Sequence, residues 1–117
     1  MSGDVVRLKW REWQRFEDAR AEANKSPNDA LFVMAARYRI LSEEDRHEID
    51  ALLAEDLESE DPNIRFYALW LISQLKLRSA IPALRRLAER LETDFRPGAP
   101  AEWEKVNRLI ATLPSAT

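Results

Sequence analysis

The sequence predicts an all-helical fold of about six helices in three antiparallel pairs, and three observations carry that prediction. Only two glycines occur in 117 residues, while Ala, Leu, Arg and Glu dominate, a composition that favours helix over sheet. Three of the expected helices open on proline, at Pro27, Pro62 and Pro100, spaced 35 and 38 residues apart, the period of stacked two-helix units. With those prolines in register, one stripe stays apolar. Val33 coincides with Ala68 and Val106, Ala36 with Leu71 and Leu109, and Ile40 with Leu75 and Leu113. Apolar residues at helical spacing on one face belong to a core. Arg37 departs from the pattern where the other two helices carry Ile72 and Ile110.

Breakers and caps place each helix in turn, within one domain covering residues 1–117. The first is expected over about 5–24. Its apolar side holds Val5, Val6, Trp10, Trp13 and Phe16, while Arg7, Arg11, Gln14, Arg15 and Asp18 face away. Docking as an end helix on the first helical pair accounts for that stripe; lying on a membrane surface is the alternative, weakened by Glu12, Glu17 and Asp18. Ser26-Pro27 opens the second helix, 27–41, with Ser as N-cap and Pro at the first helical position. Ser42-Glu43-Glu44-Asp45 resembles a capping box and opens the third, 43–58. Asp61-Pro62 opens the fourth, 62–76. Ser79 is the expected cap of the fifth, 80–94, with Pro82 in its first turn. Phe95 to Ala99 forms a loop, and the sixth helix covers 100–113.

Composition bounds the function. With 33% charged and 45% hydrophobic residues the chain is neither disordered nor membrane-embedded. The longest apolar runs, Ala30 to Ala36 and Phe66 to Ile72, fall far short of the ~20 residues that span a bilayer. The N-terminal stretch lacks an apolar signal core, so a cytoplasmic location is expected. No cysteine is present, which excludes disulfides, thiolate nucleophiles and Cys-ligated zinc. Net charge is −3, but acids crowd residues 43–61 and bases residues 65–90. Such a split describes either two solvated faces or a partner surface steered by charge.

Catalysis finds little footing. His47 is the single histidine, and Glu44-x-x-His47 supplies only one of the paired motifs that a di-iron site needs. No glycine-rich phosphate loop or calcium-loop spacing occurs. A non-enzymatic chain without cofactor or metal is expected.

Residues 60–91, EDPNIRFYALWLISQLKLRSAIPALRRLAERL, resemble a HEAT-like repeat of the short bacterial type. The likeness is close over Glu60-Asp61-Pro62-Asn63-Ile64-Arg65 and Ala80-Ile81-Pro82-Ala83-Leu84, looser over 43–113, and absent from 1–24. It implies a short right-handed α-solenoid whose second helix of each pair lines a concave side. It also implies that Asp61 and Arg65 stitch neighbouring repeats. Ala99-Pro100-Ala101-Glu102-Trp103 departs from that corner, so stitching is expected to stop there. Such a stack implies a surface that holds another macromolecule.

A second stripe on the three proline-opened helices bears on which surface. It reads Leu31, Met34, Ala35 and Tyr38, then Phe66, Leu69, Trp70 and Ser73, then Glu104, Asn107, Arg108 and Ala111. The last helix has turned polar, as a terminal repeat must. Either flanking helices cover Phe66, Leu69 and Trp70, or part of the stripe lies open. The expected partner contacts are Leu31, Tyr38, Phe66, Trp70 and Arg108. The expected function is protein–protein interaction, as an immunity-type inhibitor or an adaptor, with self-association as a variant. Nucleic-acid binding through Arg78, Arg85, Arg86, Arg90 and Arg96 is a second possibility, opposed by the pI of 5.3. A third, a hold on a small molecule as in HEAT-like chains related to pigment lyases, has no distinctive residue here.

Overall fold

The computed structural model describes residues 3–26 and 28–114. Among them are six α-helices: α1 (Gly3–Ala23), α2 (Asp29–Arg39), α3 (Glu43–Asp56), α4 (Pro62–Leu75), α5 (Ile81–Glu92) and α6 (Ala99–Thr112). A single 3₁₀ turn, Arg78–Ala80, precedes α5, and the described residues contain no strand. No described helix is long and apolar enough to cross a membrane. The chain divides into two units, Met1–Leu52 and Leu53–Thr117, with the boundary inside α3.

Two of the expected helix starts are made as their residues suggest. The Ser42 hydroxyl accepts the Asp45 N–H at 3.1 Å, and the Asp61 carboxylate accepts the Asn63 N–H at 2.9 Å, with Pro62 just inside α4. Two are not. Pro27 lies outside the described residues, and Asn28, not Ser26, stands at the head of α2 without a side-chain cap. The Ser26 hydroxyl turns back to the Asn24 carbonyl, 3.4 Å away. Ser79 is absorbed into the 3₁₀ turn, which moves the head of α5 to Ala80, a residue with no side-chain acceptor. At its other end α4 stops on Lys76, held in the left-handed conformation at φ 55°. A non-glycine residue there carries the strain of its own Cβ.

In the first unit α1 packs on α2. Val6 and Trp10 are buried from α1, and Ala30, Leu31, Met34, Ala35 and Tyr38 from α2. The expected α1 stripe is therefore split: Trp10 and Val6 are inside, whereas Phe16 is 61% exposed. The expected core stripe of α2 is turned as well. Ala36 is exposed, Val33 is half-buried, and Ile40 is 82% exposed. Arg37 supplies the physical reason. Its guanidinium donates to the buried Glu17 carboxylate at 3.2 Å and sits 5.0 Å from the Trp13 ring centre. Holding that cation against α1 rotates α2 so that Leu31 and Tyr38 point inward. The Tyr38 hydroxyl then donates to Asp50 of α3 at 2.6 Å, and Arg7 of α1 reaches Glu48 at 2.9 Å.

In the second unit α5 packs on α6 and is sharply amphipathic. Ala83, Leu84, Leu87, Ala88 and Leu91 are buried, while Arg85, Arg86, Glu89 and Arg90 are exposed. The expected stripe largely holds here: Ala68, Leu71, Val106, Leu109 and Leu113 are buried, and Leu75 is half-buried. By area bookkeeping each large apolar side chain fully removed from water contributes about 1.5–3 kcal/mol.

Candidate functional site

One charged side chain in the second unit is almost wholly inside. Arg65, on the first turn of α4, is 1% exposed. Its Nε donates to Glu102 Oε2 at 2.6 Å and its Nη2 to Glu102 Oε1 at 2.8 Å, a two-pronged bond to the first turn of α6. The remaining arm, Nη1, donates to the Ser59 carbonyl at 2.8 Å. Hydrogen bonding to Glu102 favours the charged guanidinium and raises its pKa despite the cost of burial. Arg65 thus stitches one helix to another. The link runs through Glu102, while Asp61 is exposed and serves as the α4 cap. The residues alone do not single out Glu102: it stands two positions after Pro100, whereas Arg65 stands three after Pro62, so the proline register does not pair them.

The contacts beyond this pair rise along both helices together. Lys105 lies over the Phe66 ring, 4.6 Å from its centre, and Ser73 near the end of α4 faces the same hollow as Thr112 near the end of α6. The two helices therefore run in the same direction, at a register close to the 38-residue spacing of their prolines. Between them lies a groove. One hollow, of about 220 Å³, is lined by Phe66, Leu69, Trp70, Ser73, Lys105, Arg108, Leu109 and Thr112. A second, of about 290 Å³, lies toward the helix starts and shares Phe66, Leu69 and Lys105 with the first, adding Pro62, Ala101 and Glu102.

The groove has an apolar floor and a cationic edge. Leu69 and Leu109 are buried, Trp70 is half-buried, and Phe66 is 47% exposed. Arg108 meets Glu104 at 3.8 Å, a long pair between two largely exposed side chains and worth little. Of the expected partner contacts, Phe66, Trp70 and Arg108 come together here. Leu31 and Tyr38 do not, being buried in the first unit.

Three of the five arginines considered for nucleic acid, Arg86, Arg90 and Arg96, stand beside acids. Arg86 meets Glu58 at 3.4 Å, and Arg90 donates to the Glu58 carbonyl at 3.1 Å and meets Glu60 at 3.6 Å. The Arg96 guanidinium clasps Asp94, and its N–H donates to the same carboxylate at 2.9 Å. These bonds lower the Asp94 pKa to about 2. The clasp fixes a turn that holds Phe95 99% exposed. Among the described residues no group of three or more His, Asp or Glu side chains could hold a metal ion.

The fold and the groove define a small helical chain with an open apolar channel rimmed by cations. No protein-family model, curated protein or solved structure matches this chain.

Proposed function

We propose that the chain is a non-enzymatic protein-binding module of HEAT-like repeat type, a short right-handed α-solenoid in which the α4/α6 groove is the concave contact surface. The observation that carries this reading is the groove itself, where Phe66 and Trp70 meet solvent beside Lys105 and Arg108. Aromatic and arginine side chains over an apolar floor are the usual anchors of a protein interface. Support for the repeat comes from α4 and α6, which run the same way and are joined across their first turns by Arg65 and Glu102. An inhibitor of the immunity type and an adaptor are both consistent with this reading. Affinity capture with the tagged chain and with its Phe66→Ala form, read by native mass spectrometry, tests the reading. The expected result is a stoichiometric protein complex that Phe66→Ala loses. Elution of the 13.6 kDa chain alone overturns the proposal.

A further inference from the structure

We infer that the partner offers this groove an acidic amphipathic helix, placing two apolar side chains in the hollows and carboxylates against Lys105 and Arg108. The inference rests on the protein-binding reading and adds the chemistry of the partner.

Size argues first. The hollows, of about 220 and 290 Å³, are open to solvent and lie at the lower end of the roughly 300–1,000 Å³ of sites that enclose a small-molecule ligand. Each suits one large side chain delivered by a larger body. Spacing argues next. From the Pro62–Leu69 stretch of one hollow to the Phe66–Ser73 stretch of the other is a shift of about four residues along α4, or roughly 6 Å at 1.5 Å per residue. That is one helical turn, the separation of apolar side chains at i and i+4 on a partner helix.

Charge then selects among helices. The hollow toward the helix ends has no acid in its lining, and Lys105 borders both hollows. Glu102 is the one acid lining the other, and both of its oxygens are turned to Arg65. A carboxylate arriving beside the apolar anchors therefore meets Lys105 and Arg108, the latter only loosely paired with Glu104 across 3.8 Å, while a basic helix meets repulsion. A second copy of the chain does not meet these terms. Its most acidic helix, α3, has its apolar residues Ile49, Leu52 and Leu53 buried, so it would bring carboxylates without anchors.

Three synthetic helical peptides test the inference. They share Leu at i and Phe at i+4, differ only in flanking positions that carry Glu, Gln or Lys, and are titrated into the full chain with ¹⁵N amide shifts as the readout. The Glu peptide is expected to bind at least about tenfold more tightly than the Lys peptide, with Gln between them and shifts confined to α4 and α6. Lys105→Glu/Arg108→Glu, at exposed positions, is expected to invert the order, and Lys105→Gln/Arg108→Gln to level it. Equal affinities, an order indifferent to these variants, shifts elsewhere, or no binding at millimolar peptide overturns the inference. A captured protein held equally well by the wild-type and charge-reversed chains would refute the acidic helix and leave the protein-binding reading standing. Failure to capture any protein strikes that reading instead.

Discussion

In the first unit Leu31, Met34, Ala35 and Tyr38 of α2 are buried, whereas in the second unit Phe66 and Trp70, which match Leu31 and Ala35 in the proline register, reach solvent. Both helices carry apolar residues on this side. What differs is the neighbour. α1 presents Glu17 and Trp13 to Arg37 and turns α2 inward. α6 presents Lys105 and Arg108, long side chains that border α4 without roofing it. Which side of such a helix becomes surface is thus decided less by its own apolar content than by the polar residues facing it.

Two of the four tryptophans, Trp10 and Trp70, give the largest expected effect. Trp10 is fully buried in the first unit, and Trp10→Ala is expected to cost about 3–5 kcal/mol, against about 1–2 kcal/mol for half-buried Trp70→Ala in the groove. Urea denaturation monitored by circular dichroism measures both. Equal costs would mean that Trp70 is as much a core residue as Trp10, and the contrast between the units would collapse.

The polar links rank next. Glu102→Ala removes the partner of a buried guanidinium and is expected to cost about 3 kcal/mol, the lower end for a broken buried pair because the Ser59 carbonyl still accepts from Arg65. Arg65→Met combined with Glu102→Leu is expected to recover most of that loss, since two apolar residues leave no unpaired charge. A double variant no more stable than Glu102→Ala would locate the effect in α6 packing instead.

The smallest effect lies at Asp50. Burial raises its carboxyl pKa, offset only in part by the hydrogen bond from Tyr38 and by nearby His47 and Arg46. A raised folded pKa means that the group's stabilisation is complete below the ordinary carboxyl range and is lost as pH rises through the folded value. Asp50→Asn keeps an oxygen to accept from Tyr38 and carries no charge to bury. Its stability at neutral pH is expected to match or exceed that of the parent, with a flatter decline above pH 4. Chemical denaturation across pH 4–7 reads both, and a neutral-pH loss of more than about 1 kcal/mol would show that the ion itself is needed.

Much of this was open to a reading of the residues. Asp61-Pro62 and Ser42 marked helix starts because a short side-chain acceptor and a proline act locally, on their own backbone. The spacing of Pro62 and Pro100 gave the α4/α6 register, and with it the meeting of Trp70 and Arg108. Ser26 and Ser79 misled because a cap depends on where the preceding turn ends, and the turn at Arg78–Ala80 uses up Ser79. Aligning α2 on α4 by proline failed for a tertiary reason, the pull of Glu17 on Arg37. The mismatch of Arg37 in an apolar stripe was the visible sign of that pull. Glu102 escaped because its role exists only in partnership with a residue 37 positions earlier.

That separation has a consequence for synthesis on the ribosome. When α4 emerges, Arg65 has only the Ser59 carbonyl within its own neighbourhood, and its carboxylate has yet to be made. Burying the guanidinium at that stage would strand a charge, a cost that disfavours sealing α4 before α6 is present. The second unit is therefore expected to seal only once Glu102 is available to meet Arg65.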